Sequence, residues 1–437
     1  MKKSIILALT LVIMAVLLVL GAGYTTYFVH EKKSSDRNLA ALRAFYIAEA
    51  GLDKSLSNLR SGLSGNLSED FGNGNYVVTV SSISSTVYKI HSVAEAEDNQ
   101  DRVLATRTLE MYVKNEPFNT YSYLTDDEYY TRTYCILWWC WTVQEPVWFV
   151  TGDRLEGPTF TNSEYHISGD PEFYGQVQSV ADEIFYMNAG PPNDNPYFDP
   201  SYSPNPNLGV NPINLPTYND DPDLQDLESE GEQFSGDTTI EFQEDGTMNV
   251  TNSARGWNNH NTAIPANKGV IVTGGNLYVS GRVNGEVTIG AAEDGSGNGG
   301  NVVVEDNLRY NDRYDGASLR EGPYLPEDSD DYLGVVAEKN IVIDKDAPNN
   351  LEINGSMMAL GDSFIVERWY DSGYNKDTLM VLGGIIQNER GPVGTFSGDT
   401  KISGYNKNYI YDERLGSQYL PFFPRTTVYT VKSWGKE

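Results

Sequence analysis

The first sixty residues constrain the chain most. Lys2 and Lys3 precede an apolar run over residues 5–23, in which Thr10 is the one weakly polar residue. As an α-helix this run is roughly 28 Å long, about the thickness of a bilayer's hydrocarbon core. The helical pattern continues past it: Leu39, Leu42, Phe45 or Tyr46, Ala48, Leu52, Leu56, Leu59 and Leu63 recur every three or four residues. No proline breaks the pattern, and Gly51 is the only glycine between Gly23 and Gly62. The expectation is one long helix, with residues 1–30 in lipid and residues 31–64 an amphipathic continuation packed on a soluble domain.

A cleaved secretory signal has an apolar core of roughly 7–15 residues and a small-residue cleavage site. Gly21, Ala22 and Gly23 offer such a site. The run is long for a signal, however, and leads straight into an amphipathic helix, so a retained anchor fits better. In either case the bulk of the chain leaves the cytoplasm, with Lys2 and Lys3 holding the N-terminus inside. Lys32, Lys33 and Arg37, just past the run, blur that rule.

The stretch 44–52 reads Ala44, Phe45, Tyr46, Ile47, Ala48, Glu49, Ala50, Gly51, Leu52. Placed some twenty residues beyond an apolar helix, it resembles the N-terminal region of PilX-type pilus assembly proteins, minor pilins or pilin-like proteins of type IV pilus machinery. The resemblance implies an inner-membrane helix that enters a pilus-like helical bundle, with a globular domain outside. This chain departs from the pilin pattern in one respect. Ser4 stands where the glycine of a Gly-(Phe/Met)-x-x-x-Glu processing site is usual, and no Glu lies in the run.

Lys and Arg number 31 against 61 Asp and Glu, a net charge of −30 over 437 residues. Such a surface repels phosphate backbones and anionic lipid, and no dense basic cluster follows the N-terminal segment, so nucleic acid is not a favoured partner. Past Leu63 long helical patterns give way to Gly, Tyr, Asn and Asp, the texture of a turn-rich β protein. Residues 65–120 contain three strand-like stretches, 76–81, 86–93 and 103–113. They predict a small antiparallel sheet on the helix's apolar stripe, a pilin-like α+β module.

Residues 121–150 predict an aromatic hairpin. Cys135 and Cys140, the only cysteines, flank Ile136, Leu137, Trp138 and Trp139, with Trp141 just beyond. In an oxidising compartment the two thiols can close a disulfide across the turn. Ile136, Leu137, Trp138, Trp139 and Trp141 then either cap the end of a β core or form an adhesive tip for a partner, a glycan or a membrane surface. Two cysteines without a nearby histidine miss the four-ligand pattern of zinc.

From residue 151 short apolar strands alternate with Gly, Asn or Asp-Pro corners. The texture starts over 151–187 and returns over 237–437, in 269–290, 334–344, 351–360 and 379–387. This is the pattern of a right-handed parallel β-solenoid, whose rungs bury their inner faces only by stacking. Residues 188–236, dense in Pro and Asn and acidic at 219–232, read as a loop draped along it with a solvated acidic end. The segments 152–158, 169–175, 388–396, 404–415 and 420–424, with Ser433 and Trp434, resemble an uncharacterised domain family of bacterial exported proteins that often follows a PilX-like N-terminus. A pilin-like competence protein with a β-solenoid inserted in its pilin sheet is similar in architecture.

The four histidines, His30, His91, His166 and His260, form no catalytic spacing, and no phosphate-binding glycine loop is present. Asp153, Asp170, Asp362, Glu389, Arg390, Asp412 and Arg414 are the residue types from which a polysaccharide-cleaving site is built. Arg390 and Arg414 are more simply read as pairing with local carboxylates to fix turns. The acidic stretches 219–223 and 328–331 carry hard oxygen ligands suited to calcium but match no defined loop. The sequence therefore points away from an enzyme, and to no cofactor or metal. It points to a mainly β minor pilin-like subunit or assembly factor of a type IV pilus or related filament. Its partners are the membrane and, through the N-terminal helix, other pilin or pilus-assembly subunits, and a β-solenoid head is presented for interaction with a surface or glycan ligand. The alternative is a single-pass inner-membrane protein that binds, with or without cleaving, a polysaccharide. A groove lined by Trp or Tyr beside two convergent carboxylates would mark it.

Overall fold

The computed structural model describes residues 2–84, 86–100, 102–136, 138–314, 324–398 and 400–436. It is mainly β with one long N-terminal helix, and it divides into two compact units, Met1–Asn115 with Thr427–Glu437, and Glu116–Thr426.

The first unit is built on helix α1, Lys2–Arg60. At 1.5 Å per residue this helix is roughly 88 Å long. From Leu9 through Leu39 every residue is exposed, and this part is long and apolar enough to be a single membrane span. The remainder packs on an antiparallel sheet through Ala40, Ala44, Ile47, Ala48, Leu52 and Leu56. Burying each large side chain of that set contributes roughly 1.5–3 kcal/mol. The buried face takes only part of the stripe that the sequence suggests: Ala48, Leu52 and Leu56 are buried, and Phe45 and Leu59 pack against that core. Leu39, Leu42, Tyr46 and Leu63 lie outside, because small side chains bring the helix closest to the sheet. Gly51 marks the closest approach: a Cβ there would lie 2.7 Å from Ser92 Oγ and 3.0 Å from a Val78 methyl.

Five strands make the sheet: β1, Leu67–Asp70; β2, Gly74–Ser82; β3, Val87–Glu97; β4, Val103–Pro117; and the C-terminal strand Arg425–Lys436, in that order across it. The first four pair antiparallel. Tyr76, Val78, Ile90, Ala94, Leu109, Met111 and Val113 face the helix as the period of two requires. The expected three strands are thus five. β1 uses what reads as a polar linker, and the last strand comes from the far end of the chain rather than closing the β stack of the second unit.

The second unit is built mainly of parallel ladders, with antiparallel pairings at Thr238–Phe242, Thr247–Asn252 and Trp257–Ala263 and at Gly394–Ser397 with Thr400–Ile410. One ladder runs Glu232–Ser235, Gly269–Thr273, Glu286–Ala292, Tyr332–Ala337, Leu351–Ala359, Asn375–Glu389, then β5, Tyr123–Asp127, then Thr159–Thr161, Val177–Ser179 and Asn207–Leu208. A second runs Thr238–Phe242, Leu277–Val283, Val302–Tyr310, Ile341–Ile343 and Phe364–Val366. Their inward side chains form one continuous apolar core. The stack does not follow chain order. β5, the first strand of the unit, sits in its middle, because the chain builds outward from β5 to residue 208 and then restarts at the other end and builds back. Two rungs carry glycine at matched positions, Gly355 and Gly383, both with positive φ (130° and 142°). A Cβ on Gly383 would lie 2.0 Å from the Gly355 carbonyl oxygen.

Residues 188–236 keep a largely solvated acidic end, with Asp220, Asp226, Glu228 and Glu230 exposed, but they are not all loop. They supply the rungs Tyr197–Phe198 and Asn207–Leu208 and helix α2, Pro222–Glu230. Asp221 caps α2 by accepting from the Leu224 N–H, and Leu224 and Leu227 are fully buried. Of the acidic residues here Asp221 and Asp223 turn inward, and Asp223 has partners: Arg425 Nε at 2.9 Å and the Tyr419 hydroxyl at 2.7 Å.

Candidate functional site

Strands β6, Tyr129–Ile136, and β7, Trp139–Pro146, form a hairpin that is its own two-stranded sheet. Cross-strand partners Tyr130 with Glu145, Arg132 with Val143, Tyr134 with Trp141 and Ile136 with Trp139 share one face. Thr131 with Gln144, Thr133 with Thr142 and Cys135 with Cys140 share the other. The hairpin therefore has an aromatic face and a polar one. Cys135 and Cys140 are joined by a disulfide on the polar face, which ties the strands together where the pairing ends. Two-stranded ribbons are marginal alone, so this bond and the ring contacts fix the local shape.

The tryptophans do not cap a core. Trp138 is 88 % exposed, Trp139 71 % and Ile136 65 %. Trp141 stacks on Tyr134, their centroids 6.0 Å apart and their planes at 21°. Leu137 lies outside the described residues. Below these rings the Arg132 guanidinium sits about equally over Tyr134, Trp369 and Tyr370, at 5.0, 5.3 and 5.2 Å, and Tyr130 meets Trp369 edge to face at 5.9 Å. At its base the aromatic face runs into a cleft of about 240 Å³ walled by Tyr130, Glu145, Trp148, Trp369, Phe396 and Lys407, among others.

Buried cations hold one wall of this cleft. The Trp148 carbonyl accepts from Arg390 at 3.2 Å and from Lys407 at 3.2 Å, and the Val147 carbonyl accepts from Arg390 at 2.9 Å. Arg390 pairs with Glu128 at 2.7 Å and lies 3.5 Å over the Phe149 ring, while Lys407 pairs with Asp153. Burial pushes the Lys407 ammonium below its usual range, against the opposing pull of Asp153. His166 is fully buried behind this wall among Tyr129, Trp148 and Phe185. Burial lowers its pKa, which favours the neutral ring.

The other singled-out residues have separate places. Glu389 accepts from the Thr131 N–H and hydroxyl at 3.0 and 2.9 Å and so fixes the base of the hairpin. Asp412 caps a short 3-10 turn and pairs with Arg414 at 2.7 Å, the expected local contact. Arg390 instead reaches a carboxylate far away in sequence. Asp170 accepts from the Asn195 N–H, and Asp362 from the Asn340 amide. None of Asp153, Asp170, Asp362, Glu389, Arg390, Asp412 and Arg414 is among the residues walling the cleft. Carboxylate oxygens of Asp312, Asp330 and Asp331 lie within 4.8 Å of one another. Asp331 is occupied by the N–H groups of Gly285 and Asp312, each at 2.7 Å, so it has a turn-fixing role.

In the motif that carries the pilin resemblance, Ala48, Gly51 and Leu52 are buried against the sheet, Phe45, Glu49 and Ala50 are half-buried, and Tyr46 is exposed. The cleft itself was not legible in sequence. Its walls come from 130–150, 168–187, 369 and 392–407, which only the stacking order brings together.

These features describe a β-rich protein with an N-terminal helix fit to be a single membrane span. Residues 85–181, which contain the whole hairpin, match the model of a domain of unknown function, DUF4900. No curated protein and no solved structure matches the chain.

Proposed function

We propose that this chain is a membrane-anchored minor pilin-like subunit or assembly factor of a type IV pilus or related filament. The observation that carries the reading is the two-faced second half of α1. Its inner face, rich in Ala and Gly, packs on the sheet, while Leu39, Leu42 and Tyr46 form an exposed apolar row on the other side. Residues three and seven apart share a helix face. An apolar row on a helix already packed behind calls for a second partner, and helices of neighbouring subunits in a filament core supply one. A long helix, half in lipid and half on an antiparallel sheet, is also the architecture that the stretch 44–52 implies.

In the same proposal the second unit is a right-handed parallel β-solenoid head. The parallel ladders support this, and so does a corner column of asparagines. Asn301 donates to Asn276 at 3.0 Å and Asn340 to Asn301 at 3.3 Å, each from one rung to the next. Such columns satisfy corner polar groups between rungs.

The experiment is mass spectrometry of the intact native protein together with its recovery from sheared surface filaments. Recovery in filaments is the expected result, and loss of only the first few residues with N-methylation would establish pilin processing despite Ser4 and the missing Glu. Cleavage near Gly23 would sink the filament reading, and an uncut chain confined to membranes would favour an anchored surface binder.

A further inference from the structure

We propose that the aromatic face of the hairpin and the cleft at its foot form one binding track for a neutral polysaccharide. This goes beyond the filament reading and does not depend on it. The track begins at Trp139 and Ile136, passes the stacked pair Trp141 and Tyr134, and descends past Arg132, Trp369 and Tyr370 to Tyr130 and the cleft. Trp139 and Trp141 are two residues apart on one strand, so they project from the same face at backbone positions about 7 Å apart, on the scale of a sugar unit. Trp139 is 71 % exposed and Trp141, with one ring face against Tyr134, 41 %, and aromatic surface of this kind stacks on the C–H faces of pyranoses. A cleft of about 240 Å³, below the roughly 300–1,000 Å³ of drug-sized sites, suits a terminal or side-chain sugar.

Charge selects the neutral class. From Thr133 to Gln144 the described residues carry no ionisable side chain other than Tyr134 and the bonded cysteines. The one cation on this face, Arg132, stands 4.0 Å from Glu145, and the chain carries −30. Uronates, nucleic acids and teichoic-type polyphosphates are therefore repelled. A bilayer fits less well, because the apolar face is a side of the ribbon that leads into a cleft containing Glu145 and Lys407, not an apolar tip alone. Glu145 is the single carboxylate among the described residues walling the cleft. The pair needed to hydrolyse a glycosidic bond is not assembled there, so the track holds its ligand without cutting it.

The test uses the full chain in a phosphocholine detergent, which has no sugar headgroup. Tryptophan fluorescence and calorimetry are followed as cellohexaose, maltohexaose, chitohexaose and, as the charged control, polygalacturonate are added. The expected result is millimolar or tighter binding of at least one neutral oligosaccharide and none of polygalacturonate. Trp139→Ala and Trp141→Ala should each weaken binding about 2- to 12-fold, and Thr133→Ala/Thr142→Ala on the opposite face should leave it unchanged. Because Trp139 is exposed, its loss does not threaten folding. The proposal is overturned if none of the three neutral hexamers binds at millimolar concentration, or if binding ignores Trp139 and Trp141. It is also overturned if brominated phosphatidylcholine vesicles quench the hairpin tryptophans while no saccharide binds.

Discussion

Arg390 and Glu128 stand 262 positions apart in the chain and meet at 2.7 Å inside the stack, with side chains 2 % and 0 % exposed. Glu128 also accepts from the Tyr123 and Thr125 hydroxyls, at 3.2 and 2.5 Å. The pair joins β5 to the end of the rung Asn375–Glu389 and, through the 147–148 carbonyls, shapes the cleft wall. Removing one partner strands a buried charge, at a cost of about 3–5 kcal/mol. Arg390→Leu should therefore lower the thermal midpoint of the second unit sharply in calorimetry. Arg390→Leu/Glu128→Leu should recover much of the loss. Equal damage from the single and double variants would mean that packing on Phe149, not charge pairing, is what the arginine supplies.

Asp221 gives a pH dependence of defined sign. Burial first, and Asp223 second, raise its pKa from 3.8 to about 6. Between those values the folded chain keeps a proton that the unfolded chain releases. Stability from this group is thus present below about pH 4 and lost as pH rises through 6. Asp221→Asn keeps an oxygen to cap α2 and removes the charge. It should stabilise the second unit by on the order of 2 kcal/mol at pH 7.5 and by little at pH 4. An equal effect of the variant at both values of pH, in denaturant titrations, would contradict this origin.

Gly51 and Gly383 should tolerate no larger side chain, for different reasons. Gly51→Leu drives a side chain into Ser92 and Val78, so α1 must lift from the sheet, and overpacking of this kind costs about 1–3 kcal/mol or more. Hydrogen exchange over residues 40–60 should then quicken while exchange in the second unit stays unchanged. Gly383→Ala meets both a positive φ and the Gly355 backbone, so its damage should appear in the rungs on either side of it.

Replacing Cys135 and Cys140 by Ser should barely move the thermal midpoint of the second unit, because the closed loop is short. The hairpin itself should become a preferred cleavage site in limited proteolysis, since a two-stranded ribbon without its tie is marginal. Unchanged protease resistance would show that ring stacking alone holds the strands.

The sequence made the long helix readable because no breaker lies within it, and the hairpin readable because alternation and the two cysteines coincide. It revealed the buried face of α1 only in part: Ala48, Leu52 and Leu56 are buried as the stripe predicts, whereas Leu39 and Leu42 are exposed. Hydrophobicity ranks Leu39 and Leu42 above Ala40 and Ala44, whereas close approach to a sheet rewards the smaller side chains. The position of β5 was hidden. Parallel rungs of three to five residues look alike, so nothing local shows that Tyr123 lies beside Ile385 rather than beside a strand near it in the chain. The cleft, assembled from rungs distant in sequence, was hidden with it.

The strand Arg425–Lys436 completes a sheet whose other members all precede residue 118. A chain made from its N-terminus must hold β4 as an unprotected edge until more than three hundred further residues have been synthesised. Completion of the first unit therefore waits on the last strand: a product cut short anywhere in the second unit keeps β4 as an open edge.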